Sequence, residues 1–145
     1  STLVALPITK VSAIFCAAPS YLVQHGEPKS PEELINHNCL RYSLVSPKYV
    51  WQSPHDDVEH SIDIDGTLTC NNGNALKDAA TEGLGVLQSP MFIVNDAIEK
   101  GQLVEILTDY KPEPFGLYAV KLSRKFTSAK VNAFIAYLKA YYGDN

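Results

Sequence analysis

The sequence predicts an α/β fold, with a mixed, mostly parallel sheet flanked by helices. Three observations carry that expectation. Strand-like and helix-like stretches alternate along the chain, the pattern of α/β domains. Residues Gly66 to Pro90, GTLTCNNGNALKDAATEGLGVLQSP, read in order as strand, turn, helix, tight turn and strand. That is a βαβ unit, whose short crossovers build parallel pairs. Finally, Val11 to Ala18, VSAIFCAA, is a near-continuous apolar run, as in a central strand covered on both faces.

Taken in order, Leu3 to Leu6 read as a strand end that Pro7 breaks. Pro19-Ser20 start a short helix, with Tyr21, Leu22 and Val23 packing inward and Gly26 ending it. Ser30, Pro31 and Glu33 make the clearest helix start in the chain: cap, first position and capping box. That helix runs through Leu34 and Ile35 to about His37, and Cys39 to Val45 form the next strand. Tyr49 to Trp51 and Glu59 to Asp65 suit the arms of an antiparallel hairpin around an exposed turn at Ser53 to Asp57.

The βαβ unit begins with Thr67 to Cys70 as a short strand. Asn71-Asn72-Gly73-Asn74 is turn chemistry and supplies N-cap candidates. Leu76, Ala79, Ala80 and Leu84 recur at helical spacing, and Gly83 and Gly85 stop the helix. Val86-Leu87 return as a buried strand. Ser89-Pro90 look like a second helix start, Ser as cap and Pro in the first turn. Phe92, Ile93, Ala97 and Ile98 lie on that helix and Gly101 closes it. Leu103 to Leu107 and Gly116 to Leu122 are strands separated by a loop with two prolines. Thr127 or Ser128 caps a last helix whose stripe is Val131, Phe134, Ile135, Leu138 and Tyr142.

Bulk properties narrow the function. The 145 residues suit one domain of ordinary size, and 46% hydrophobic content allows a sizeable core. With 12 scattered basic residues and a net charge of −4, this stretch has no basic face to hold DNA. No apolar run approaches about 20 residues, so no membrane span is expected. No secretory signal is visible, and the start at Ser1 rather than Met reads as a fragment. Cys16, Cys39 and Cys70 form no CxxC pair, which argues against zinc or a disulfide framework. Cys16 and Cys70 read as buried thiols, and a reducing cytoplasm is the expected compartment.

The turn Asn71 to Asn74 is the candidate site. It lies past the C-terminal end of one strand and at the head of a helix, where free N–H groups and the positive dipole end point outward. Such a turn can hold a small anion, although many Asn-Gly turns only close the chain. Enzyme constellations are lacking. There is no Gly-x-Ser-x-Gly elbow and no Walker loop, and Asp63 and Asp65 read as a solvated pair on one strand face. His55, Asp57 and His60 share a polar loop without metal-ligand spacing, so no metal, no cofactor and no catalysis are expected. Trp51, Tyr137, Tyr141 and Tyr142 read as packing residues rather than a platform for bases.

Five stretches in register resemble one family. Pro19, Tyr21-Leu22 and Gly26 match a P-x-Y-L-x-x-x-G element, and Ser30 to Leu40 a P-x-D/E-L-x-x-H-x-C-L element. Gly66, Leu68, Ala79-Ala80, Gly83-Leu84-Gly85 and Pro90 match G-x-L…AA-x-x-GLGI…P, with Asn72 in the Asn-rich turn where that signature carries its asparagine. Gly101, Leu103-Val104 and Leu107 match G-x-LV-x-VL, and Arg124 with the Val131, Phe134, Ile135, Leu138 stripe matches a closing R…V-x-AFI-x-FL helix. The chain thus resembles the effector-binding region of LysR-type transcriptional regulators.

The resemblance implies a periplasmic-binding-protein-like fold of two subdomains joined by two crossover strands, with the effector in the cleft between them. Residues 1–10 would end the first subdomain, 11–120 form the second, and 121–145 hold the return crossover and the C-terminal helix. The N-terminal helix-turn-helix and most of the first subdomain are absent from this sequence. DNA contact therefore belongs to that missing domain. In the family the last helix packs on the first subdomain, so its stripe is here exposed, swapped or covered by another copy.

For the site, the resemblance implies that Asn71, Asn72, Gly73 and Asn74, with Gln88 and Ser89 at the next strand end, contact a small, anionic effector. It further implies a cytoplasmic regulator, dimeric or tetrameric at full length. A transporter's solute-binding protein of the same architecture is the alternative. It predicts a secretion signal and a complete cleft.

Overall fold

The computed structural model describes residues 3–122 and 128–143. It forms two compact units, Ser12–Glu113 and the pair Ser1–Val11 with Pro114–Asn145.

In the larger unit the strands are β2 (Ala13–Ala17), β3 (Cys39–Tyr42), β4 (Lys48–Gln52), β5 (Glu59–Asp63), β6 (Thr69–Cys70), β7 (Val86–Pro90), β8 (Val104–Ile106) and β9 (Lys111–Pro112). Its helices are α1 (Pro19–His25), α2 (Gly73–Thr81) and α3 (Met91–Glu99), with a single 3-10 segment at Pro31–Asn36. Five strands make the main sheet in the order β6-β3-β7-β2-β8. Both crossovers skip one place. α2 carries the chain from β6 to β7 over β3, and α3 carries it from β7 to β8 over β2.

The sheet is mixed, but parallel pairing does not dominate. β3 runs parallel to β6 and β7, whereas β2 runs antiparallel to β7 and β8. Two pairs of each kind result, because β2 fills the gap between two parallel strands from the opposite direction. Its five residues are all buried, as the apolar run requires.

Alternation along the strands divides the core into two layers. Ile14, Cys16, Leu40 and Leu87 pack with Leu76 and Ala80 of α2 and with Val94 and Ala97 of α3. On the other face Phe15, Ala17, Cys39, Val86 and Ile106 pack with Tyr21, Leu34, Tyr49, Trp51 and Ile64. Tyr21 therefore points inward, but Val23 is 89% exposed and Phe92 65% exposed, on the outer sides of α1 and α3. A short helix on a sheet buries one narrow stripe, and Val94 rather than Phe92 falls on it. The expected antiparallel hairpin is present as β4–β5, extended by β9. Trp51 is buried and stacks on His60, and the Tyr49 hydroxyl reaches the Leu40 carbonyl at 3.3 Å.

Asn38 ties these elements together. Its side chain accepts from Thr67 N–H at 2.8 Å and donates to Thr67 Oγ1 at 3.0 Å and to the Leu84 carbonyl at 2.8 Å. Its own carbonyl accepts from Val86 N–H at 2.8 Å. Two glycines make room for it. A Cβ at Gly85 would strike the Asn38 carbonyl, and one at Gly66 would strike the Cys39 carbonyl. The capping box expected at Ser30 forms differently. The Ser30 side chain caps nothing, and Glu33 instead accepts from Lys29 N–H at 2.7 Å. Helix α2 ends at Gly83, whose φ of +84° suits glycine.

In the smaller unit, β1 (Leu3–Val11) and β10 (Phe115–Leu122) form an antiparallel ribbon. Pro7 does not break β1. It pairs with Tyr118, and the register shifts between Pro7 and Thr9, a position where a missing N–H is tolerated. Helix α4 (Ala129–Tyr142) is capped by Ser128, whose Oγ accepts from Val131 N–H at 3.2 Å. It is tied to β10 by Lys121 Nζ donating to Asn132 Oδ1 at 3.2 Å. Of the expected stripe, Ile135 is buried, Leu138 and Tyr142 are half-buried, and Val131 and Phe134 are exposed. Thr127 and Arg124 lie outside the described residues.

The Asn38 contacts generate a stability prediction. Gly85→Ala forces a methyl against the Asn38 backbone and should destabilise the chain by about 1–3 kcal/mol, the usual cost of overpacking. Urea unfolding measures it, and a loss below about 0.5 kcal/mol would show that the Asn38 segment yields freely.

Candidate functional site

The parallel pairing of β6, β3 and β7 brings their C-terminal ends to one edge of the sheet. β8, antiparallel to β2 as β7 is, ends on that same edge. Helices α2 and α3 start there. The edge is therefore set by topology, and strand ends facing helix starts are where open α/β sheets take ligands.

Asn71 is exposed and leads out of β6. Asn72 is the N-cap of α2, with extended backbone and Oδ1 accepting from Ala75 N–H at 3.0 Å. Gly73 opens the helix half-buried, and a Cβ there would lie 2.7 Å from Ile93 Cδ1 of α3. The heads of α2 and α3 thus touch, which explains the glycine. Asn74 is exposed on the first turn. Neither helix carries an acidic residue in its first turn, so both positive dipole ends are left without a local carboxylate.

Gln88 and Ser89 reach the same edge but part company there. Gln88 pairs with Phe15 and projects to the face of α1 and the hairpin, half-buried. Ser89 pairs with Ile14 on the face of α2 and α3, is 3% exposed, and donates to the Pro90 carbonyl at 3.0 Å. Only Ser89 shares a face with the α2 head. Ser89 does not cap α3. Both Ser89 and Pro90 are strand residues paired with β2, and Pro90 itself stands at the cap position without a side-chain bond.

Two residues absent from the sequence reading also occupy this edge. Ser43 N–H donates to the Cys70 carbonyl at 2.9 Å, which carries β3 one step past its last pair and leaves the Ser43 side chain exposed beside the Asn71 turn. Ser12 accepts from Met91 N–H at 2.9 Å and is exposed where β2 begins. Their placement depends on strand order, which no local pattern encodes. Leu107, at the end of β8, adopts φ +54°, an uncommon backbone for leucine.

Two of the three thiols, Cys16 and Cys39, are buried in the core. Burial pushes Cys16 up to about 12, with Glu105 adding to it, and burial does the same to Cys39, also to about 12. Cys70 is only half-buried, because β6 is an edge strand, and its Sγ lies 3.8 Å from the Asn72 carbonyl. The His55, Asp57, His60 loop does not gather. His60 Nε2 instead meets Asp56 at 3.2 Å. The Val58 N–H and then His60 hold the exposed Asp56 carboxyl below its usual range. Among the described residues no three His, Cys, Asp or Glu side chains converge on a metal position. No helix among them is long and apolar enough to cross a membrane.

A neutral polar lip at the head of α2, on a mixed sheet with helices on both faces, defines the molecule as an α/β domain with its candidate site at a strand-end edge. The model of the LysR substrate binding domain matches residues 1–143, and the chain belongs to that family. It is 33% identical over 138 residues to the uncharacterised HTH-type transcriptional regulator YhjC of Escherichia coli, covering 93% of this chain and 46% of that protein. To the HTH-type transcriptional regulator DmlR of the same organism it is 32% identical over 133 residues, covering 91% and 43%. The full-length structure of the Vibrio cholerae virulence activator AphB, a member of the LTTR family, is 28% identical with a TM-score of 0.76, covering 98% of this chain and 49% of that one. The chain thus spans less than half the length of these relatives. They are regulators, not enzymes, and the fold expectation of a periplasmic-binding-protein-like domain holds.

Loss of the α2 cap is measurable. Asn72→Ala should cost about 0.5–2 kcal/mol, whereas Asn72→Asp should stay within a few tenths. Equal stability of wild type and Asn72→Ala in urea unfolding would mean that the cap contributes nothing.

Proposed function

We propose that this chain is the second effector-binding subdomain of a cytoplasmic LysR-type transcriptional regulator, with its crossover strands and C-terminal helix. It grips a small anionic metabolite through Asn71, Asn72, Gly73 and Asn74, assisted by Ser89 and, from the opposite face, Gln88. The observation that carries this reading is the pair of adjacent helix heads without first-turn carboxylates, at the strand-end edge of the sheet. The residues at that lip are uncharged, so an anion meets dipoles and N–H donors rather than a competing side-chain charge.

In this reading β1 and β10 are the crossover strands and α4 the closing helix, and the effector-binding lobe is the unit Ser12–Glu113 rather than 11–120, because Phe115–Leu122 pair with β1. A first lobe and a helix-turn-helix belong to the rest of the protein, where DNA binding resides. The whole protein works as a dimer or tetramer. Effector binding favours one placement of the subunits and so alters the grip on the operator. A transporter's solute-binding protein draws no support from the relatives, which are HTH-type regulators.

The test uses the full-length protein in a thermal-shift panel of short mono- and dicarboxylic acids beside their neutral amides. At a hundredfold excess over Kd a bound acid stabilises by about 2.7 kcal/mol, a clear rise in Tm. Asn72→Asp, which keeps the cap but adds a negative charge, should lose that rise. An acid that shifts wild type and Asn72→Asp equally would remove Asn72 from the site. A rise with the amides alone would refute the anionic class.

A further inference from the structure

At the sheet edge opposite the lip, the Asn38 clasp is held by a second, titratable layer. Asn38 N–H donates to the Tyr21 hydroxyl at 3.2 Å, and that hydroxyl lies 2.7 Å from His37 Nδ1. The oxygen accepts from Asn38, and the arrangement that also gives the buried Tyr21 hydrogen an acceptor is donation to an unprotonated His37 Nδ1. Tyr21 is 2% exposed, and its ring stacks on His25 at a centroid distance of 4.5 Å. If His37 gains a proton, Nδ1 becomes a donor and the buried hydroxyl loses the acceptor for its own hydrogen.

The clasp brackets α2. Through its side chain Asn38 holds Thr67, which leads into β6 and the Asn71 turn, and Leu84, which follows the C-terminal end of α2. We propose that the His37–Tyr21 hydrogen bond is a proton-responsive latch, which on acidification loosens the Asn38 clasp and with it the segments that position α2. The inference does not depend on the ligand reading above, since it concerns the opposite edge.

The groups facing His37 and Tyr21 set the direction. Burial lowers the proton affinity of His37 below its ordinary 6.5, His25 on α1 lowers it further, and Glu33 on the 3-10 segment opposes both. Glu33 is itself engaged by Lys29 N–H. Burial raises Tyr21, which the Asn38 N–H partly offsets and Cys39 on β3 adds to, so the phenol stays protonated. Because the folded value of His37 lies below the unfolded one, the latch is intact above the ordinary histidine range. Stability is then lost as pH falls from 6.5 through the lowered folded value.

The experiment is amide hydrogen exchange by NMR on the full-length chain, read at Asn38 and Thr67 and corrected for intrinsic rates, between about pH 7.5 and 5. Amides of the β4–β5 hairpin serve as internal control. Protection at Asn38 and Thr67 should fall at least ~tenfold more than in the hairpin. His37→Asn keeps an acceptor near Nδ1 without a titration and should abolish the fall. A uniform response across both regions in wild type, or a fall that persists in His37→Asn, would each overturn the latch.

Discussion

One carboxamide holds segments that the chain order keeps far apart. Asn38 stands just before β3, the strand that must slot between β6 and β7 after both have been separated from it by long stretches of sequence. Its side chain fixes the entry to β6 through Thr67 and the exit from α2 through Leu84, while its backbone carbonyl starts the ladder to β7. Because β3 is parallel to both neighbours, this contact determines where all three strands end. The position of the α2 head, and so of the candidate site, follows from it. Gly66 and Gly85 are the cost of that contact: two places where the backbone must come too close for any Cβ.

Local features were legible in the sequence because they are decided by neighbours in the chain. The Asn72 cap, the glycine stops at Gly83 and Gly101, the buried run of β2 and the β4–β5 hairpin all belong to this kind. The features that escaped are decided by what lies across the sheet. Ser89-Pro90 carries helix-start chemistry, but Ile14 and Ala13 draw both residues into β7. Pro7 carries break chemistry, but in a two-stranded ribbon a register shift absorbs it. The antiparallel entry of β2 has no local signature at all. An apolar run looks the same in either direction.

The candidate site shows the same division. Asn71 to Asn74 were readable as a helix head, and the edge on which they stand follows from pairings with β3. Gln88 and Ser89 were readable as a strand end, yet the period of two sends them to opposite faces, and only Ser89 lies with α2 and α3. Ser12 and Ser43 came to the same edge through strand order alone. What the arrangement offers chemically is hydrogen-bond donation from uncharged groups at two helix heads, which suits recognition of an anion rather than its conversion.

The central claim is that the head of α2 is where a small anion is held. A crystal structure of the full-length protein with a stabilising carboxylate tests it most directly. The carboxylate should accept hydrogen bonds from the Gly73 or Asn74 N–H, or from the Asn72 side chain, at about 2.7–3.1 Å. A carboxylate bound elsewhere, with the Asn71 to Asn74 turn facing only solvent, would contradict the account.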